Sequence, residues 1–143
     1  MRGGAGDPAT ASAWAFDQLT QGGAEIVRAA DPVLLPKACK NAAELQGVRR
    51  AHERDGAALS RFLAWIAKEG PKGNVDEIEA CRVLESFRAE TGALKDLSFG
   101  SISGAGPNAA LPHYRVTNKS NRKIKSGEIY LIDSGGQYLD GTT

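Results

Sequence analysis

The chain has 143 residues, 41% of them hydrophobic and 24% charged, with a net charge of +1. That balance is ordinary for a folded globular chain and excludes collagen-like or disordered composition. It also gives no electrostatic case for nucleic acid or an anionic membrane as partner, and no apolar run approaches the ~18 residues of a spanning helix.

The opening Met1-Arg2-Gly3-Gly4-Ala5-Gly6 lacks the apolar stretch of a secretory leader and is expected to fray. Asp7-Pro8 predicts a helix start, with Asp7 as cap and Pro8 in the first turn. Ala11, Trp14, Ala15 and Leu19 then recur at helical spacing, and Gly22-Gly23 stops the run. Ala24 to Val27 reads as a short extended piece, and Asp31-Pro32 with Pro36 as an irregular connection. Cys39 and Cys81 have no metal-type spacing; they read as free thiols in a reducing, cytoplasmic setting.

Asn41-Ala-Ala-Glu44 is a capping-box pattern that opens a helix of about 29 residues, about 43 Å long. Leu45, Val48, His52, Asp55, Leu59, Phe62 and Ile66 step by three and four as its apolar stripe, flanked by Ala51, Ala58 and Trp65. His52 within that stripe reads as a buried, hydrogen-bonded core residue, with Asp55 one turn on as a candidate partner. Arg54 and Asp55 read as ion-paired helix register. Gly70-Pro71 ends the helix. Asn74-Val-Asp-Glu77 repeats the capping pattern, and Ile78, Cys81, Leu84 and Phe87 form the apolar side of a second helix that closes near Thr91-Gly92. The two make a helical hairpin around Gly70–Gly73. Trp14 and Trp65 read as core or interface anchors.

After Gly92 the pattern changes. Leu97 to Ser103 alternates apolar and small polar residues, as in a half-buried strand. Gly104-Ala-Gly-Pro107 reads as a turn; it lacks the Lys and the following helix that a phosphate loop needs. Asn108 to Tyr114 reads as a further strand, broken by Pro112. The segment from Arg115 to Gly127 carries Lys119, Arg122, Lys123 and Lys125 without an acid or an aromatic residue, and reads as a solvated loop rather than a nucleic-acid surface. Ile129 to Ile132 is a buried strand by composition, Gly135-Gly136 a tight hairpin turn, and Asp140-Gly141 another turn signal. This strand delivers Asp133, a carboxylate that is costly to bury unless a cation or strong donors meet it. Helices followed by antiparallel strands with short turns argue for an α+β fold.

Five stretches together carry a resemblance. They are Lys37–Asn41, Glu44–Gly56, Asp96–Ser103, His113-Tyr114 and Leu131-Ile-Asp-Ser-Gly-Gly-Gln-Tyr-Leu-Asp-Gly-Thr-Thr143. The chain resembles aminopeptidase P (Xaa-Pro aminopeptidase), one of the pita-bread metallopeptidases that include creatinase, prolidase and methionine aminopeptidase. The resemblance implies that residues 1–36 are a tail and the end of a preceding domain or linker. Residues 37–143 are then the first half of a pita-bread catalytic domain, with long helices packed on antiparallel strands, interrupted inside its metal motif.

By the same resemblance Asp133 is a metal ligand of a site for two divalent ions, usually Mn²⁺. The remaining ligands (a second Asp, a His and two Glu) lie further along the family's sequence. His113 is the active-site His of a His-Tyr pair, a catalytic and substrate-binding residue that stabilises the tetrahedral intermediate without ligating metal. The implied reaction is hydrolysis of an N-terminal Xaa-Pro bond by a metal-activated hydroxide. The implied partners are peptides with proline second and, in some settings, a second copy of the chain; the setting is cytoplasmic. This chain alone is expected to be inactive. A non-catalytic pita-bread binding module is the alternative in another class, and a prolidase or creatinase relative the alternative within it. Asp140, the other carboxylate of the closing stretch, is read as a turn residue.

Overall fold

The structure is a computed structural model that describes residues 3–143. It divides into two compact units, residues 1–41 and 42–143.

The first unit is a β-α-β segment. Strand β1 (Gly3–Gly6) runs parallel to β2 (Glu25–Arg28), with Gly3 opposite Glu25 and Gly6 opposite Arg28. The Gly-rich opening is therefore paired from Gly3 onward, whereas fraying was expected; Met1 and Arg2 lie outside the described residues. The short extended piece expected at Ala24–Val27 is β2. Helix α1 (Ala13–Gln21) starts five residues later than Asp7-Pro8 implied, because Ser12 caps it through the Ala15 amide. Asp7 instead accepts from the Ala9 and Asp31 amides and closes a turn. Phe16 is buried in this unit, with the Arg28 guanidinium 4.5 Å over its ring. Trp14 is 70% exposed and anchors no core here. A short helix α2 (Leu34–Ala38) occupies the expected irregular connection; Pro36 sits within its first turn, where a missing amide costs nothing.

The second unit is built on a helical hairpin, as its two capping signals implied. Helix α3 (Ala42–Glu69) has 28 residues and is about 42 Å long. It ends in a 3-10 turn at Gly70–Lys72, and α4 (Glu77–Ala89) folds back on it. The buried line of α3 is Gly47, Ala51, Asp55, Ala58 and Phe62. That is a slightly rotated version of the expected stripe: small residues allow neighbouring segments to come close, so the contact follows them. Leu45 and His52 are consequently exposed, and His52 Nδ1 lies 2.9 Å from the Val48 carbonyl of its own helix. Phe62, Val75, Ala80, Leu84, Ala105 and Ile124 form the core, with Trp65 packed beside Phe62 at a ring distance of 5.9 Å. The cap of α4 is Asp76, whose carboxylate accepts from the Glu79 amide, rather than Asn74.

The strands form one antiparallel ribbon with an interruption. Strand β3 (Asp96–Leu97) pairs with β6 (Gly136–Gln137), and β4 (Ile102–Ala105) pairs with β5 (Tyr130–Asp133). Between them Ser98–Ser101 face only Ser134-Gly135, so the first edge carries two extra residues, as in a bulge. This splits the single strand expected over Leu97–Ser103. Gly104 and Ala105 belong to β4, and the turn begins at Gly106 as a 3-10 segment through Ala110. Residues 108–114 are thus a turn-rich loop rather than a strand; Pro107 and Pro112 cannot donate to a ladder.

Gly135-Gly136 is not a hairpin turn. Neither glycine has the positive φ such a turn requires, and the chain runs straight through them from β5 to β6. The reversal comes at Tyr138–Gly141, closed by the Tyr138 amide on the Gly141 carbonyl at 2.9 Å, where the Asp140-Gly141 signal lies. Gly135 is required for a different reason. A side chain there would collide with the Thr143 carbonyl and the Ser98 hydroxyl. Gly47 on α3 likewise makes room for the Asp140 carbonyl.

Candidate functional site

Asp133 closes β5, opposite Ile102 of β4, immediately before the bulge. Alternation along β5 buries Tyr130 and Ile132 in part and turns Leu131 and Asp133 outward, so the run is half-buried rather than fully buried as expected. The carboxylate of Asp133 is exposed. His113 comes from the loop after β4. It is exposed, and at φ 56° it is the one non-glycine residue of the described chain with left-handed backbone. Asp133 and His113 line the same open depression of about 520 Å³, together with Ile102, Ala109, Leu111 and Leu131. Its walls are mostly apolar, and the two polar groups come from segments 20 residues apart in sequence.

The loop that carries His113 is held from beneath by a carboxylate. Glu77, in the first turn of α4, is fully buried. Its Oε1 accepts from the Ala105 amide at 2.7 Å and from Asn108 Nδ2 at 2.9 Å. Its Oε2 accepts from the Tyr114 hydroxyl at 3.0 Å and from the Arg122 amide at 3.1 Å. Burial raises the Tyr114 phenol above its ordinary pKa; Ser120 opposes this and the Glu77 carboxylate adds to it. The Arg115–Gly127 segment is therefore only partly the solvated loop expected: Arg122 is tied to Glu77 through its amide, Ile124 is buried in the core, and Arg115 donates to the Gly100 carbonyl.

A second buried carboxylate fixes the closing stretch. Asp55 accepts from Arg88 Nε at 2.7 Å and Nη2 at 3.1 Å, and from the Tyr138 hydroxyl at 2.6 Å. Burial opposes its charge, but the Arg88 and Tyr138 hydrogen bonds outweigh burial and hold its carboxyl below the usual range. Tyr138 is pushed up to about 12, by burial and by donating to Asp55. Asp55 thus joins α3 to α4 and to the segment after β6, not to His52. Arg54 ion-pairs with Asp140, and Arg50 lies 3.7 Å from the same carboxylate. Arg54 first, with Arg50 adding, lowers the Asp140 pKa. Asp140 therefore fastens the Asp140-Gly141 turn to α3 as well as shaping it.

Sequence reading missed Glu77 and Tyr138. Glu77 was assigned to a capping box, and only the true cap at Asp76 frees it to point inward. No local signal marks Tyr138, because its partner Asp55 lies 83 residues away.

Among the described residues no group of three or more His, Cys, Asp or Glu could hold a metal ion. Asp133 offers one hard oxygen donor at the rim of the depression and fits a single ligand position; it does not make a site for two ions by itself. Among the described residues no helix is long and apolar enough to cross a membrane.

Comparison with known proteins gives a consistent result. The profile of metallopeptidase family M24 matches residues 46–143. Xaa-Pro aminopeptidase 2 of Homo sapiens is 47% identical over 112 residues, covering 78% of this chain and 17% of its own length. The crystal structure of an X-prolyl aminopeptidase from Caenorhabditis elegans, a cytosolic enzyme with a di-nuclear active site, superposes with a TM-score of 0.73 at 38% identity, covering 86% of this chain and 20% of that one. An Xaa-Pro dipeptidase from Bacillus anthracis superposes with a TM-score of 0.78 over 99% of this chain and 38% of its own, at 23% identity, which speaks for the shared pita-bread fold alone. The chain spans about a fifth of the first two relatives. With the match extending from α3 to the final residue, the chain belongs to metallopeptidase family M24.

Proposed function

We propose that this chain is the leading part of the catalytic region of an Xaa-Pro aminopeptidase, which hydrolyses the N-terminal bond of peptides with proline second. Residues 1–36 are the end of a preceding domain or linker, and 37–143 the first half of the catalytic domain. What carries the reading is the shared depression of Asp133 and His113, in a chain 47% identical over 112 residues to an Xaa-Pro aminopeptidase.

In this reading the Asp133 carboxylate would hold one ion of a divalent pair, Mn²⁺ in the cell. When bound, such ions lower the pKa of water and polarise the scissile carbonyl. His113 donates a hydrogen bond toward the oxygen on which negative charge develops. Its exposure at the rim leaves the ring free to meet a peptide, and Leu111 and Leu131 give the depression an apolar wall that suits an apolar side chain rather than a charged one. The whole enzyme works in the cytoplasm, with a second copy of the chain as its candidate protein partner. In this reading the 143-residue chain alone is inactive, since one carboxylate cannot hold two divalent ions.

The test is Asp133→Ala in the whole enzyme, with metal content and turnover of an Xaa-Pro peptide measured together. The expected result is loss of both. Full metal content with retained turnover removes Asp133 from the site. Retained fold with no turnover in the unmodified whole enzyme favours a binding-only module.

A further inference from the structure

Glu77 has no place in the reaction proposed above, yet it is among the most deeply buried polar groups of the chain. A carboxylate offers about four acceptor positions. Here the Ala105 amide, Asn108, the Tyr114 hydroxyl and the Arg122 amide fill them. Those four donors come from β4, from the 3-10 turn, from the residue after His113 and from the far end of the loop. One side chain on α4 therefore fixes both ends and the middle of a loop that has almost no ladder hydrogen bonds of its own.

The backbone at His113 explains why such a clamp is needed. Left-handed φ costs a non-glycine residue of order 1 kcal/mol or more and persists only when the surroundings determine it. Pro112 restricts the chain on one side of His113. On the other side, Tyr114 is anchored by its hydroxyl to Glu77, with the Ser120 hydroxyl 3.0 Å away. The Tyr114 amide on the Leu111 carbonyl, at 3.2 Å, closes the turn that holds His113 left-handed; cutting the Tyr114 hydroxyl anchor removes the second restraint, the one that fixes where this turn sits at the rim.

We propose that Glu77 is a positioning residue for His113, acting through the Tyr114 hydroxyl to hold the imidazole over the depression. The inference rests on the reading of His113 given above. Glu77 touches no substrate; it sets where the His113 ring can be.

Two measurements test it. The chain contains two histidines, so ring carbon–proton NMR signals of the 143-residue chain report His113 with His52, on α3, as internal control. Glu77→Gln and Tyr114→Phe are expected to shift the His113 signal and leave His52 in place. In the whole enzyme, each is expected to lower kcat about tenfold to a hundredfold, the scale of a misplaced reacting group, with KM changed far less. Combined with His113→Ala, neither should lower kcat further, because both act through that ring. Tyr114→Phe keeps the ring and its packing, so it decides the matter should Glu77→Gln not fold. An unmoved His113 signal, or kcat losses that add to that of His113→Ala, overturns the role of Glu77 and leaves His113 in place. Full activity of His113→Ala overturns the reading of His113 itself, and this inference with it.

Discussion

Asp55 and Arg88 meet through two parallel hydrogen bonds, 2.7 and 3.1 Å long, with the arginine side chain 1% exposed. The pair ties the middle of α3 to the end of α4, and the Tyr138 hydroxyl adds a third bond from the stretch that follows Asp133. Buried charge of this kind is held by its partners, so removing one leaves the other stranded. Asp55→Ala is expected to destabilise the chain by about 3–5 kcal/mol, while Asp55→Leu combined with Arg88→Met loses much less. Urea unfolding followed by circular dichroism measures both. Equal losses would mean that the pair itself, and not the stranded charge, carries the stability.

The same contact sets a pH dependence at both ends. The folded pKa of Asp55 is lowered, so its contribution is fully present above the ordinary Asp value of about 4 and is lost as pH falls through the folded value. Tyr138 is raised to about 12, so its contribution is full below the ordinary phenol value and is lost as pH rises toward that figure. Stability against pH is expected to fall on both limbs, and Tyr138→Phe to flatten the alkaline one. An alkaline limb unchanged in Tyr138→Phe would rule out the hydrogen bond as its cause.

Gly135 separates Asp133 from the Tyr138–Gly141 turn at a point where backbone and side chain press from both sides. Gly135→Ala is expected to destabilise by about 1–3 kcal/mol, the usual cost of overpacking. The amide signals of Ser98 and Thr143 should shift with it. A neutral thermal melt would show that Thr143 can move aside freely.

A titration of the 143-residue chain with Mn²⁺ is expected to show no saturable binding in the micromolar range, since Asp133 stands without companion ligands among the described residues. Isothermal calorimetry reads this directly. Tight, stoichiometric binding abolished by Asp133→Ala would mean that the chain assembles a metal site on its own.

Phe62 of α3 is fully buried in the core with Val75, Ala80, Leu84, Ala105 and Ile124. Phe62→Ala is expected to cost about 3–5 kcal/mol, measured as a shift of the urea midpoint at unchanged slope. A loss under 1 kcal/mol would mean that Trp65 collapses into the space.

What the sequence determined by itself was local. Gly70-Pro71 stops α3 because proline cannot continue a helix and the glycine before it resists helix formation. Asn41 and the repeating apolar residues placed the start and length of the long helix, and the unbroken β-prone run Ile129–Ile132 placed β5, though not its half-buried alternation. The Asp133-Ser-Gly-Gly-Gln-Tyr stretch carried the family through its specificity, not through its physics. Tertiary structure decided the rest. Whether Gly135 was a turn or a point of close approach depended on Thr143 and Ser98 arriving beside it, which no window of neighbouring residues contains. Asp76, not Asn74, caps α4, and the chain around Arg122 then gives Glu77 its buried role. Asp55 looked like the neighbour of His52 on one helix face, but its partners Arg88 and Tyr138 lie 33 and 83 residues away. Local periodicity fixes which residues can share a face; only the packing of distant segments decides which buried charge meets which donor.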